Sequence, residues 1–139
     1  MPLTRVPVEE YTTPDAVTAD ERMTIDELQQ LMDRHGVRHL PVLRGDTVVG
    51  LISERDLRLV AGLSAAEKMQ VQATDIMATD PLTVRASTPL DEVALAMSER
   101  KVGSVIVNDD DGRFYGIFTA TDALNALIET VRRSTMPGL

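Results

Sequence analysis

Cysteine and tryptophan are absent from this chain of 139 residues, and aromatic residues make up only 3% of it. Without cysteine the chain has neither disulfide bonds nor thiolate metal sites. Its core must be built from aliphatic side chains and methionine. The hydrophobic fraction of 43% and the charged fraction of 26% are typical of a soluble globular domain that can bury a sizeable core.

Positive charge is scarce as well, since 14 Lys and Arg face 22 Asp and Glu and give a net charge of −8. This balance disfavours nucleic acid as the main partner, because neutralising phosphates requires a basic surface. The net charge is still compatible with a small anionic ligand that is bound by a few local cations. No apolar run approaches the roughly 18 residues of a membrane span, and the N-terminal residues lack a signal-peptide pattern. We expect a cytoplasmic protein without membrane contact.

Motifs of catalysis are also missing. The chain has no glycine-rich phosphate loop of the Walker or Rossmann type and no nucleophile elbow. Its two histidines, His35 and His39, do not form a convergent ligand set for a metal. We therefore expect no enzyme, no catalytic residue, no bound metal and no obligatory cofactor.

What the chain does contain is a stretch that occurs twice, first as Gly50–Leu57 and again as Gly116–Ala123. Each copy has a glycine, two apolar residues, a hydroxyl residue, two variable residues and an aspartate. The apolar residues predict the end of a buried strand, and the hydroxyl residue predicts the start of a helix. Both copies therefore indicate a strand-to-helix junction with a hydroxyl and a carboxylate three residues apart.

The repeat extends well beyond this stretch. Equivalent residues are 65 apart before the acidic turn at residues 108–112, and one extra residue in that turn makes them 66 apart beyond it. The pattern predicts an α/β (α+β) fold of two β-α-β-β-α repeats, packed about a pseudo-two-fold axis with two equivalent clefts between them. We expect a loose arm over residues 1–13, and we place the first repeat, the linker and the second repeat at residues 13–62, 63–78 and 79–132.

The strand sequence Val-Arg-His-Leu-Pro-Val at residues 37–42 and the Gly-Leu-Ile-Ser-x-x-Asp junction resemble a cystathionine-beta-synthase (CBS) domain. Two such repeats in tandem resemble a CBS pair, or Bateman module, over about residues 13–132. The resemblance implies a stand-alone, non-catalytic regulatory module that binds an adenosine-containing ligand in the clefts. AMP, ADP or ATP is the expected ligand, with S-adenosylmethionine or a dinucleotide as alternatives.

The repeated hydroxyl and carboxylate have two interpretations. As helix caps, Ser53 with Asp56 and Thr119 with Asp122 satisfy first-turn amides and place an acid at the positive helix end. As a ligand site, an ionised aspartate accepts both hydroxyls of a ribose diol, and free amides at the helix start suit a phosphate. The Ser or Thr hydroxyl can add a bond to the sugar or a phosphate, and the resemblance implies that Ser53 with Asp56 and Thr119 with Asp122 form this ribose clamp.

The resemblance also implies phosphate-facing and adenine-lining positions. Arg38, His39 and Arg55 flank the first junction, whereas the neutral Gly103, Ser104 and Thr121 flank the second. We therefore expect a phosphorylated ligand to prefer the first cleft. The expected adenine-lining residues are Leu51, Thr83 and Val102 for the first cleft, and Thr18, Val37 and Ile117 for the second.

The alternative to ligand sensing is a ligand-independent module for dimerisation or protein interaction. The resemblance implies a homodimer of modules, and the apolar helices at residues 57–63 and 123–131 are candidates for its interface. Covering the intramolecular sheet is the other role open to them. With no effector domain in view, an unknown regulated protein is the remaining expected partner.

Overall fold

The computed structural model describes residues 6–135, and only the backbone of Thr135. Residues 1–5 of the expected arm and residues 136–139 lie outside the described part. A 3₁₀ helix at Val8–Tyr11 comes first. The chain then forms β1 (Thr13–Pro14), β2 (Ala19–Asp20), α1 (Ile25–His35), β3 (His39–Arg44), β4 (Thr47–Ser53) and α2 (Glu54–Leu59). After it come α3 (Ala65–Met69), α4 (Ala73–Ile76), β5 (Thr83–Arg85), α5 (Leu90–Arg100), β6 (Ser104–Asn108), β7 (Phe114–Thr119) and α6 (Ala120–Thr135).

These elements form two compact units. Among the described residues, the first unit combines residues 6–15 with residues 82–135, and the second unit is Ala16–Pro81. Strand order is β1-β7-β6-β5 in the first unit and β2-β3-β4 in the second. Each sheet joins a parallel pair, β5 with β6 or β2 with β3, to an antiparallel hairpin. The predicted mixed fold of two similar repeats is confirmed.

Each hairpin brings the start of its first strand opposite the end of its second. In the second unit His39 pairs with Ser53, and in the first unit Ser104 pairs with Thr119. Each hairpin also has one bulge, after Val42 or after Val107. Because the bulges occupy equivalent places, both strand-to-helix junctions keep the same register to the neighbouring strand.

The long helices α1 and α5 supply one wall of each core. Thr24 and Glu27 form a capping box at the start of α1, as the spacing Thr-x-x-Glu indicates, and Gly36 ends that helix with a φ of 63°. The buried residues of each helix recur every three or four positions, as an apolar stripe requires. They are Ile25, Leu28 and Met32 in α1 and Leu90, Val93 and Met97 in α5.

The expected loose arm is wrong for its described residues. Val8 and Thr12 are buried, and the amide of Val8 donates to the carbonyl oxygen of Thr88 over 2.8 Å. Thr13 then pairs with Ile117 at the edge of the first unit's sheet. Backbone pairing and the burial of Val8 fix this segment, which we call the N-terminal strap (residues 7–14).

The second unit has a matching segment, the linker strap (residues 72–78). The amide of Ala73 donates to the carbonyl oxygen of Met23 over 2.8 Å, and Leu51 and Ala78 exchange backbone hydrogen bonds of 3.0 and 2.9 Å. Ala73 is fully buried. Since Ala73 and Ala78 lie 65 residues after Val8 and Thr13, the two straps are equivalent parts of the repeat.

Candidate functional site

The first junction lies where β4 runs into α2. Ser53 ends the strand in an extended conformation and caps the helix. Its hydroxyl accepts from the amide of Asp56 over 3.2 Å, and its own amide donates to Oδ2 of Asp56 over 2.8 Å. The two residues therefore form a reciprocal capping box.

The second junction has the same geometry at the start of α6. The amide of Thr119 donates to Oδ2 of Asp122 over 2.8 Å, and the amide of Asp122 donates to the Thr119 hydroxyl over 3.4 Å. The Thr119 hydroxyl lies 3.1 Å from the same Oδ2 and donates to it. The cap interpretation is confirmed at both junctions.

Capping leaves hydrogen-bond acceptor positions available on both carboxylates. Both boxes engage Oδ2, and Asp56 and Asp122 are only partly buried. An ionised carboxylate offers about four acceptor positions on two oxygens, so Oδ1 can still accept from a ligand hydroxyl. The cap and the ribose clamp are therefore compatible uses of the same side chain.

The first-turn amides are less available than expected. The amide of Glu54 donates to the carbonyl oxygen of Arg38 over 2.8 Å, and that of Ala120 donates to Gly103 over 2.9 Å. The amides of Asp56 and Asp122 donate to the capping hydroxyls. The expectation of a helix start with free N–H groups is wrong for these two positions of each helix, and side chains must provide most of any anion contact.

Three predicted polar residues surround the first junction. Arg38 directly precedes β3, and its side chain is 83% exposed. Arg55 is exposed on α2, and His39 lies opposite Ser53 in the hairpin and is half-buried. His39 lies close enough to Asp56, Arg38 and Glu54 to be affected by their charges, and the assignment of Arg38, His39 and Arg55 to a phosphate stays a prediction.

The imidazole of His39 is unlike an ordinary surface histidine. Its pKa is lowered, mainly because burial disfavours the charged form, and the positive charge of Arg38 lowers it further. The carboxylates of Asp56 and Glu54 act in the opposite direction without overcoming burial. His39 is therefore neutral near pH 7 and can serve a ligand as a hydrogen-bond donor rather than as a cation.

The uncharged residues Gly103, Ser104 and Thr121 lie beside the second junction. Ser104 is buried at the start of β6, opposite Thr119, and Gly103 and Thr121 are exposed. A polar cleft of about 600 Å³ begins at Asp122 and runs between α6 and the N-terminal strap. Tyr11 spans it by donating a hydrogen bond to Glu129, which raises the pKa of the tyrosine.

The predicted lining residues divide between the two compact units. Leu51 is half-buried in β4 of the second unit, which also contains Thr18 and Val37. The first unit contains the others, namely Thr83, Val102 and the buried Ile117. Because each predicted lining set draws on both units, these assignments stay predictions.

Glu54 was not singled out from the sequence. Its side-chain Oε2 lies 4.0 Å from Nε of Arg38, and its Oε1 lies 3.5 Å from Nη2 of Arg58. The Glu54–Arg58 pair has the i, i+4 spacing that brings two helical side chains together. The Glu54–Arg58 pair could therefore have been predicted from the sequence, whereas the approach of Glu54 to Arg38 depends on the hairpin.

Two further classes of site find no support in residues 6–135. No group of three or more histidine, aspartate or glutamate side chains in that range could hold a metal ion. Nor is any helix there long and apolar enough to cross a membrane.

The family model described as "CBS domain" matches residues 8–61 and again residues 73–129. The chain is 30% identical over 114 residues to an inosine-5'-monophosphate dehydrogenase of Korarchaeum cryptofilum, with 82% of this chain and 23% of that protein covered. It is 28% identical over 137 residues to a CBS domain-containing protein of Dictyostelium discoideum, with 91% and 94% covered. The chain thus spans about a quarter of the dehydrogenase and nearly all of the Dictyostelium protein.

Solved structures show the same fold. The CBS domain pair of protein MJ0100 with 5'-methylthioadenosine and S-adenosyl-L-methionine has a TM-score of 0.79 at 25% identity, covering 90% of this chain and 98% of the other. CBSX2 with AMP has a TM-score of 0.78 at 27% identity, covering 91% and 98%. The CBS domain of a bacterial CNNM/CorC family Mg²⁺ transporter with ATP reaches 0.82 at 24% identity, covering 91% and 89%. With two family matches and this shared fold, the chain belongs to the CBS-domain family as a tandem pair.

Proposed function

We propose that the chain is a non-catalytic regulatory module that binds an adenosine-containing ligand of the AMP, ADP or ATP class. The observation that carries this proposal is the repeated junction, in which Asp56 and Asp122 complete a cap with Oδ2 and keep Oδ1 for a ligand. A ribose diol needs such an acceptor-only group. In support, the similar CBS structures hold AMP in one case and two adenosyl compounds in the other.

The first junction is the proposed site for a phosphorylated ligand. Arg38 and Arg55 offer exposed guanidinium groups, and a guanidinium can donate two parallel hydrogen bonds to one phosphate. Residues at the equivalent places of the second junction are neutral. A less charged adenosyl group suits the second junction better.

Regulation by such a ligand requires it to bind one arrangement of the protein better than another. The regulated partner is a further protein, because we assign no catalytic step to this chain. A cytoplasmic location, where adenine nucleotides are abundant, is part of the same proposal.

Calorimetric titration with AMP and ATP tests the assignment of Asp56. Asp56→Ala should weaken binding at least about tenfold, since it removes a charge-assisted hydrogen bond worth about 1.5–3 kcal/mol. Ser53→Ala, which removes the other half of the capping box and keeps the carboxylate, should weaken binding less. Equal affinities of wild type and Asp56→Ala would contradict the clamp, and unchanged AMP binding in Arg38→Ala with Arg55→Ala would contradict the phosphate assignment.

A second candidate function is a ligand-independent interaction module, and one observation favours it. Helix α6 exposes an apolar stripe to solvent at i, i+3, i+4 and i+7. The stripe consists of Leu124, Leu127, Ile128 and Val131, each about half exposed. A second copy of the chain is the occupant we propose for this stripe, because identical apolar stripes can cover each other in a symmetric dimer.

Two measurements separate the candidates. A ligand that binds only the folded state raises the melting temperature, so a thermal shift with adenosine compounds supports sensing, and no shift with any of them supports the interaction module. Light scattering tests the homodimer. A monomer at micromolar concentration would contradict it, and Leu127→Asp should convert a dimer to a monomer.

A further inference from the structure

The side chain of Glu54 is held between two arginines at the first junction. Its backbone amide donates to the carbonyl oxygen of Arg38 over 2.8 Å, which fixes the two residues side by side. One carboxylate oxygen then lies 4.0 Å from Arg38, and the other lies 3.5 Å from Arg58. The Arg38 guanidinium assigned to a phosphate therefore already has an anion beside it.

The contacts of Glu54 with the two arginines are exposed enough for another anion to replace them. The Arg38 side chain is 83% exposed and the Glu54 side chain 42% exposed. Ion pairs with this exposure contribute little to stability, because water screens the charges and holding long side chains costs entropy. An incoming phosphate could replace the carboxylate at Arg38 without unfolding the junction.

The junction forms without this charge set in the other repeat. The residues equivalent to Arg38, Glu54 and Arg58 are Gly103, Ala120 and Leu124. The amide of Ala120 nevertheless donates to Gly103 over 2.9 Å, and Thr119 and Asp122 form their capping box. Neither the strand end nor the helix start therefore requires the arginines and the glutamate.

We propose that Glu54 is a built-in competitor for the ligand's phosphate and sets the selectivity of the first junction among adenosine, AMP and ATP. The inference rests on the proposed function. A phosphate that binds Arg38 competes with the Glu54 carboxylate for this guanidinium, and each further phosphate adds repulsion from the same charge. Glu54 therefore weakens binding in proportion to the charge of the ligand.

The test compares Glu54→Gln with wild type in calorimetric titrations with adenosine, AMP and ATP at low salt. Removing one charge next to an exposed site should raise AMP affinity roughly threefold to fivefold and ATP affinity more, with adenosine affinity unchanged. Glu54→Ala, which copies Ala120, should behave in the same way. Glu92→Gln is the matched control, because Glu92 is also an exposed acid in the first turn of a helix and should leave all three affinities unchanged.

A double-mutant cycle with Arg38→Gln tests whether Glu54 acts through this arginine. The gain from Glu54→Gln should disappear in the Arg38→Gln background. Three results would each overturn the inference. They are a gain in affinity that persists in the Arg38→Gln background, equal gains in affinity for adenosine and ATP, and the same gain in Glu92→Gln. Wild-type binding that Glu54→Gln leaves unchanged overturns this inference alone, whereas no binding of any compound to either protein overturns the proposed function as well.

Discussion

Gly36 and Lys101 end the helices α1 and α5 with the same left-handed backbone conformation, at φ of 63° and 55°. A side chain in that conformation costs about 1–2 kcal/mol, whereas glycine adopts it freely. Lys101→Gly should therefore stabilise the protein, although glycine also increases the freedom of the unfolded chain. We expect a gain of about 0.5–1 kcal/mol in the free energy of unfolding, measured by urea denaturation.

The matched change in the other repeat is Gly36→Ala, which should destabilise by about 1 kcal/mol for the same reason. If Lys101→Gly lowered stability instead, the charge of Lys101 near the helix C-terminus would be the dominant contribution.

Gly116 and Gly50 lie under the two straps and should differ in their tolerance of alanine. A Cβ at Gly116 would overlap the backbone carbonyl of Thr13, which cannot move without shifting the N-terminal strap. A Cβ at Gly50 would overlap mainly the flexible side chain of Met77, with the carbonyl oxygen of Ala78 at 2.9 Å. We expect Gly116→Ala to cost about 2–3 kcal/mol and Gly50→Ala about 1 kcal/mol.

Thermal unfolding of the two glycine variants measures this difference. Equal losses would show that Met77 cannot rearrange. A neutral Gly116→Ala would mean that the N-terminal strap is not held against β7 in solution.

The capping hydroxyls should contribute similar stability in both repeats. Ser53→Ala and Thr119→Ala each remove the acceptor for a first-turn amide, and such a loss typically costs about 1 kcal/mol. Ser53→Thr and Thr119→Ser keep a hydroxyl and should cost less. Urea denaturation of the four variants measures their free energies of unfolding. Equal losses of stability in the variants that keep a hydroxyl and in the alanine variants would contradict capping as the cause.

Stability should fall on acidification because of His39. Its folded pKa lies below the unfolded value of about 6.5, so the unfolded state binds more protons between the two values. The contribution is fully present above about pH 6.5 and declines as the pH falls toward the folded pKa. His39→Gln should make the loss between pH 8 and pH 5 smaller, as measured by urea denaturation.

The exposed His35 offers the control, since His35→Gln also removes one histidine but not a half-buried one. A pH dependence that is the same in wild type and His39→Gln would assign the acid sensitivity to other groups.

Much of the fold could be predicted from local pattern. The repeat follows from the spacing of 65 or 66 residues between equivalent positions, and the cap at Thr24, the helix end at Gly36 and the buried faces of α1 and α5 follow from spacing within one element. The cap at Ser53 was also readable, because its hydroxyl and the Asp56 carboxylate belong to a single helical turn.

The straps and Glu54 depend on contacts that are distant in sequence. The N-terminal strap has few apolar residues and is punctuated by proline, so local pattern predicts a loop. The signal that could have found it is the repeat itself, since Val8 and Ala73 are 65 residues apart and both fully buried. In the same way, the approach of Glu54 to Arg38 follows from the hairpin register and not from sequence spacing.

The two straps have a consequence for how this chain could be divided. A cut after Asp15 would detach β1, the edge strand beside β7, although the two strands are about 100 residues apart in sequence. A cut after Ala78 would leave residues 79–135 without the 3₁₀ helix and edge strand that complete their sheet. Residues 79–135 therefore lack two elements of their own unit, whereas Ala16–Pro81 form the other unit as one continuous segment, so only the second repeat depends on residues that lie at the start of the chain.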